Sequence, residues 1–226
     1  MSAGRAETTI VLPRFAFRGA ELRLPRVGLR LSRPAYGLAA LGGLLAACVI
    51  VVVFATAGPT VLVPSSWYAF PGWVAGPLHG LFGHLSASPL AMSYGFSAVL
   101  LAMTVAYAVA LASVRLLSMR TIVIAVVALH LVLLLGPPLQ LTDLFNYLGY
   151  ARLGALHHLN PYSHVIGAAQ HDPIYGMTSW HNLRSPYGPA FTLLTYPLGL
   201  LPLPAAYWVL KTATVLASLG FIALVW

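Results

Sequence analysis

Long apolar stretches alternate along this chain with short segments rich in proline, aromatic and polar residues. Residues 35–57, 91–114, 121–138, 187–201 and 205–226 are each rich in apolar residues. A helix needs about 20 apolar residues to cross the hydrocarbon of a bilayer. The pattern therefore predicts an all-α fold, a polytopic transmembrane bundle of about five spans over residues 35–226. Pro202 and Pro204 mark the turn between the last two spans. Residues 58–90 and 139–186 read as loops on the face opposite the N-terminus, the second long enough to carry short interfacial helices. The apolar run Phe221–Trp226 is followed by no polar tail. That ending predicts a truncated gene product, a fragment, or one half of a larger bundle.

Composition sharpens this picture. The chain is 59% hydrophobic and 7% charged, where soluble domains carry roughly 25% charged residues. A soluble chain could not hide so many apolar runs. The net charge of +8 is local: seven of the twelve basic residues, Arg5, Arg14, Arg18, Arg23, Arg26, Arg30 and Arg33, lie in residues 1–34. Pro13, Pro25 and Pro34 forbid one continuous helix there. The segment reads as a loosely ordered cytoplasmic tail that fixes topology and meets anionic lipid. It lacks the folded basic face with stacking aromatics that nucleic-acid binding needs. Arg115 and Arg120 then fall inside, and Lys211 is expected near the inner end of the fifth span. Ala55-Thr56-Ala57 resembles a signal-peptidase site, but the apolar run before it is long for a signal core. The chain's one cysteine, Cys48, excludes an intrachain disulfide and a cysteine-rich metal site.

Residues 58–90 contain no Lys, Arg, Asp or Glu but hold Trp67, Tyr68 and Trp73, as befits a loop at the membrane interface. His79 and His84 lie there, and two histidines alone make a weak metal site. His130 falls within an apolar run and is expected to be hydrogen-bonded inside the bundle. No cofactor or metal ligand set is read from the eight histidines, and metal dependence is left open.

The polar chemistry is concentrated in residues 139–186. Asp143 is one of only four acidic residues, and it follows an apolar run ending in Gly136-Pro137-Pro138. A carboxylate at the edge of a span is costly unless solvated, paired or used. With 142–156 as an interfacial helix and Thr142 as its N-cap, Asp143, Asn146, Tyr147 and Tyr150 share one face. Leu144, Leu148, Ala151 and Ala155 form an apolar stripe beside it. The helix can then offer a carboxylate, an amide and two phenols to a cavity, while Arg152 points almost opposite Asp143. A helix start also favours an ionised Asp for purely structural reasons. Asn160-Pro161-Tyr162 and His171-Asp172-Pro173 read as turns, with Asp172 either a cap or a second acid. In Ser185-Pro186-Tyr187-Gly188-Pro189 two prolines kink the chain into the next helix. They aim Tyr187 and Arg184 over the loop, where Arg184 either contacts a phosphate or snorkels.

Taken in order, Asp143–Leu153, Asn160-Pro161-Tyr162, Trp180 and Ser185–Pro189 resemble the GT-C-type membrane glycosyltransferases. The nearest group is the polyprenyl-phosphate-mannose-dependent mannosyltransferases and the related glycosyltransferase 87 enzymes. The resemblance covers roughly residues 139–200. It implies a larger multi-span fold, a lipid-phosphate sugar donor, and a catalytic Asp on an external loop, to which Asp143 corresponds as general base. It implies donor and acceptor contacts from Asn146, Tyr147, Tyr150, Arg152, Asn160, Tyr162, Asp172, Arg184 and Tyr187. The partners are then a polyprenyl-phosphate-sugar donor, a glycan or glycolipid acceptor and the bilayer, in a multi-pass cell-membrane protein whose active loop is extracytoplasmic. The chain is short for this family, and two spans precede the Asp-bearing loop. The competing expectations are a non-catalytic fragment or assembly subunit and a lipid-sugar transporter. A transporter would place ionisable groups inside its spans, where only His130 is found.

Overall fold

The computed structural model describes residues 16–17, 20–21, 33–57, 62–63, 71–81, 88–139 and 142–225. Most of the basic tail, the loop aromatics Trp67 and Tyr68, and His84 lie outside the described residues. The tail contributes one antiparallel pairing of two-residue strands, β1 (Ala16–Phe17) and β2 (Ala20–Glu21). The longer elements among the described residues are α-helices: α1 (Pro34–Thr56), α2 (Gly72–Ala75), α3 (Pro89–Ala112), α4 (Met119–Leu135), α5 (Asp143–Ala155), α6 (Pro189–Gly199) and α7 (Leu203–Leu224).

Among the described residues α1, α3 and α7 are long and apolar enough to cross a membrane, and α4 is a shorter apolar helix of 17 residues. Large apolar side chains stand exposed along them, including Leu101, Tyr94, Leu216 and Phe221, which suits contact with lipid rather than water. The helical membrane architecture matches the expectation. The count of five spans does not follow from it, because the segment expected as the fourth span is α6, with 11 residues. That is about 16 Å of helix, well short of a hydrocarbon core of about 30 Å.

The chain divides into two compact units. In the first (residues 1–47 and 97–128), Gly37 lets α1 approach the end of α3, since a Cβ there would lie 2.8 Å from Ser113 Cβ. Alanines 39, 40, 98, 102 and 106 line an apolar groove of about 590 Å³ between these helices.

The second unit (residues 48–96 and 129–226) holds the polar chemistry. Its core joins Val74 of α2, Phe145 and Leu148 of α5, Ile174 and Met177 of the following loop, and Ala206, Tyr207 and Leu210 of α7. The rings of Phe145 and Tyr207 stack 5.7 Å apart, and Trp73 meets both edge-on. The Tyr207 hydroxyl donates to Val74 O at 3.0 Å and Trp208 Nε1 to Trp73 O at 3.2 Å, so α2 is pinned to the start of α7. Gly76 ends α2 with φ of 88°, and its Cβ would strike Leu135 O at 2.2 Å, so only glycine fits.

α6 lies alongside α5 rather than crossing away from it. Tyr147 packs on Phe191, with ring centroids 5.1 Å apart. A Cβ on Gly154 would meet the Tyr196 ring at 2.2 Å, and one on Gly199 would meet Ala151 O at 2.8 Å. α6 buries Thr192, Thr195 and Gly199 and exposes Leu193 and Leu194. This is the reverse of a helix on a water-soluble domain, and it fits a helix resting in the bilayer interface.

α7 starts at the same end of the unit as α5, where Phe145 and Leu148 pack on Ala206, Tyr207 and Leu210. Lys211 locates that end. Its Nζ donates to Leu134 O at 2.7 Å and also to Gly136 O, satisfying carbonyls left free where α4 stops. It lies 5.2 and 4.9 Å from the Tyr207 and Trp208 ring centroids. Lys211 therefore sits at the Asp143 end of α4, which corrects the expectation of Lys211 near the inner end of the fifth span with Asp143 on the outer side. His130 bonds Ser218 at 3.0 Å, tying α4 to α7 as expected of an intramembrane histidine.

Candidate functional site

Residues 142–188 form a packed cap rather than an open loop. Two 3₁₀ turns, Ile166–Ala169 and Tyr175–Met177, follow α5. Ser185 N–H donates to Pro161 O at 2.8 Å and Gly167 N–H to His181 O at 2.8 Å, closing the segment on itself.

Thr142 occupies the N-cap position of α5, but its hydroxyl makes no capping bond. It pairs instead with the Ser179 hydroxyl and accepts from Asn146 Nδ2 at 3.4 Å. The Asn146 carbonyl accepts the Ser179 and Trp180 N–H groups at 3.1 and 3.4 Å. Asn146 is wholly buried. Its amide fastens the loop to α5, which corrects the expectation that it faces a cavity. Tyr150 is equally buried, and its hydroxyl donates to Leu183 O at 2.7 Å. Burial pushes that phenol up to about 12.

Arg152 and Asp172, both read as contacts for substrate, hold each other. Arg152 Nε donates to Asp172 Oδ1 at 2.9 Å and Oδ2 at 3.1 Å, and its Nη1 reaches Gly199 O at 3.2 Å. Asp172 also accepts the Ile174 N–H at 3.0 Å, and its Oδ2 lies 2.8 Å from His157 Nε2. Burial works against the ionised carboxylate, yet the bonds from Arg152, Ile174 and His157 outweigh it and hold Asp172 below its ordinary value. α5 ends just before His157. His158 takes a left-handed conformation, φ 52°, and Leu159 N–H returns to Leu153 O at 3.0 Å.

Asn160 and Tyr162 are likewise structural in their contacts. Asn160 Oδ1 accepts the Tyr162 N–H at 2.9 Å, a side-chain turn. The Tyr162 hydroxyl sits 2.9 Å from Tyr187 O and 2.8 Å from Thr192 Oγ1. It straps the start of α6 in place. Arg184 is exposed, and no described residue pairs with it.

The face that remains is built from Asp143, Tyr147 and Tyr187. Asp143 and Tyr147 are one helical turn apart and half-buried. Among the described residues no hydrogen bond or ion pair holds the Asp143 carboxylate. Tyr187 is the centre of an aromatic cluster. Tyr147 and Phe191 meet it edge-on at 4.6 and 5.8 Å, Tyr150 edge-on at 6.1 Å, and Trp180 stacks on it at 6.0 Å. The Tyr187 hydroxyl is buried and bonds to nothing among the described residues. Burial is the largest influence pushing the Tyr187 phenol above its ordinary value, followed by Tyr147 and the negative charge of Asp143, so ionisation is disfavoured.

The structure thus brings Asp143, Tyr147 and Tyr187 together and gives Asn146, Tyr150, Arg152, Asp172, Asn160 and Tyr162 internal partners. Sequence reasoning did not select Phe191 or Ser179. Phe191 stands four residues after Tyr187, across the helix start, and its spacing alone could have placed it on the same side. Ser179 carried no sequence signal. Near this unit's aromatic layer, an apolar cleft of about 550 Å³ is lined by Trp73, Pro77, Leu134, Leu135 and Trp208 with Gly72 and Gly76. Among the described residues no group of three His, Cys, Asp or Glu could hold a metal ion. Comparison with protein-family models, with curated proteins and with solved structures returned no match to this chain.

Proposed function

We propose that this chain is a membrane glycosyltransferase that moves a hexose, mannose by the family resemblance, from a polyprenyl-phosphate donor to a glycan or glycolipid acceptor on the outer face of the cell membrane. The observation that carries the reading is Asp143. It is a half-buried carboxylate at the start of α5, free of hydrogen-bonding and ion-pair partners among the described residues and beside an aromatic cluster. Apolar helices long enough to present it at a bilayer surface support the same reading.

Asp143 acts as general base. It takes the proton of an acceptor hydroxyl as that oxygen bonds to the anomeric carbon. The bond from that carbon to the phosphate oxygen breaks, and polyprenyl phosphate leaves with the electron pair. Such help is worth about 10²–10⁴-fold in rate. The rings of Tyr147, Tyr187 and Trp180 offer apolar surface against which a sugar ring can rest. Arg152 is tied to Asp172, which leaves Arg184, unpaired among the described residues, as the cation on this cap for the donor phosphate.

The reading is tested with a polyprenyl-phosphate-hexose labelled in the sugar, supplied to membranes that carry the chain. Label appearing in a new glycosidic bond on the acceptor supports it. Labelled donor that crosses a reconstituted bilayer with no bond formed would replace it with transport.

A further inference from the structure

We propose that the paired hydroxyls of Thr142 and Ser179 position Asp143, fixing the backbone from which the base reaches into the site. Asp143 follows Thr142 directly in the chain, and its carboxylate has no hydrogen bond or ion pair among the described residues. The direction of that carboxylate is therefore set by the backbone that carries it. Thr142 is held at two points. Its carbonyl accepts the Phe145 N–H at 2.8 Å and the Asn146 N–H at 3.0 Å, which starts α5. Its hydroxyl pairs with that of Ser179, 37 residues further on.

A threonine at the N-cap position ordinarily accepts a first-turn N–H. Thr142 makes no such bond, so its hydroxyl serves the loop instead of the helix. The loop does not need it for attachment. Asn146 Oδ1 already accepts the Ser179 and Trp180 N–H groups at 3.1 and 3.4 Å. Asn146 Nδ2 donates to the two hydroxyl oxygens at 3.4 and 3.5 Å. What the hydroxyl pair adds is a second restraint on the one residue that precedes the base.

The other side of the pair leads to the same face. Trp180 follows Ser179 and stacks on Tyr187 at 6.0 Å, and Tyr187 meets Tyr147 edge-on at 4.6 Å. One bond between the chain neighbours of Asp143 and Trp180 thus holds the base in register with the aromatic surface offered to the sugar. A misplacement of about 1 Å at a reacting group costs about 10²-fold in rate. Thr142 and Ser179 are therefore positioning residues, acting through the backbone of Asp143 and not on the substrate.

The effect on rate rests on the glycosyltransferase reading, and the coupling between Ser179 and Asp143 does not. Ser179→Ala removes the hydroxyl and keeps both backbone N–H bonds to Asn146, so Trp180 stays in place. The chain contains two aspartates, Asp143 and Asp172, so protein labelled at the Asp carboxyl carbon gives two signals, assigned with Asp143→Asn and Asp172→Asn. In lipid nanodiscs at a fixed neutral pH, Ser179→Ala is expected to move the Asp143 signal and leave Asp172 in place. An Asp143 shift no larger than that of Asp172 would overturn the proposal. In the transfer assay Ser179→Ala and Thr142→Val are each expected to lower kcat about tenfold with donor KM unchanged. The double variant is expected to be no slower than either alone, because both remove the same pair. Thr142→Ser keeps the hydroxyl and is expected to retain the wild-type kcat. A lowered unfolding midpoint with kcat unchanged in the folded molecules would make the pair a structural tie only and overturn the proposal. A raised KM with kcat unchanged would overturn it too and make Ser179 a substrate contact. A moved Asp143 signal in a chain that transfers no sugar would keep the coupling and remove the role of Asp143 as base.

Discussion

Arg152 and Asp172 lie 20 residues apart in sequence and meet through two hydrogen bonds of 2.9 and 3.1 Å, with side chains only 12% and 4% exposed. Arg152 belongs to the last turn of α5 and Asp172 to the loop beyond it. The same guanidinium reaches the carbonyls of Gly199 and Leu201, where α6 turns toward α7. Arg152 therefore joins α5, the loop beyond it and the turn between α6 and α7. Removing one partner of a buried pair leaves the other charge uncompensated, at a cost of about 3–5 kcal/mol. Asp172→Asn is expected to lower the unfolding midpoint of the detergent-solubilised protein markedly. A midpoint within a degree of wild type would show that the pair is not holding the cap.

The same pair sets an acid limit. Asp172 is held below its ordinary value of 3.8 in the folded chain. A group depressed on folding contributes its full stability above its unfolded value and loses it as pH falls through its folded value. The cap is therefore expected to keep this contribution from neutral pH down to about 4 and to lose it below that. Unfolding measured from pH 6 to pH 2 should show the loss in wild type and a flatter profile in Asp172→Asn.

Asn146 gives a second stability prediction. Its carbonyl is the acceptor for the Ser179 and Trp180 N–H groups, and its amide is fully buried. Asn146→Ala leaves those donors without their partner, at about 1–3 kcal/mol. The expected result is a lowered unfolding midpoint with donor KM unchanged in the molecules that remain folded. A KM effect without a stability effect would return Asn146 to the substrate.

The position of α6 has a consequence for topology. Arg184 precedes this helix and Leu200 follows it, and both are exposed. With Cys48, the chain's one cysteine, changed to Ala, Arg184→Cys and Leu200→Cys are each expected to react with a membrane-impermeant maleimide from the same side. Labelling from opposite sides would make α6 a span after all.

Much of this fold is legible in the sequence. Apolar length alone locates α1, α3, α4 and α7, because a helix that meets lipid needs no pattern beyond hydrophobicity. The start of α5 at Asp143 and of α6 at Pro189 follow from local cap and proline chemistry. Length and hydrophobicity could not show that α6 turns its leucines outward and its threonines inward, since that depends on which face meets α5. The candidate site divides in the same way. Helical spacing brings Asp143 and Tyr147 to one face, but apart from Thr142 beside Asn146, the partners of Asn146, Tyr150 and Arg152 come from residues 20–49 positions away. Spacing on one helix carries no information about such contacts. A polar face read as a cavity was in large part the inner side of a packed cap.

The most direct test of the central claim is the transfer assay run on wild type and Asp143→Asn side by side, at matched levels of inserted protein. Asp143 bears no hydrogen bond or ion pair among the described residues, so the substitution should leave insertion and the unfolding midpoint near wild type. The account predicts that wild type moves the labelled hexose to the acceptor and that Asp143→Asn is slower by about 10²–10⁴-fold. Transfer by Asp143→Asn at the wild-type rate would contradict the assignment of Asp143 as the base.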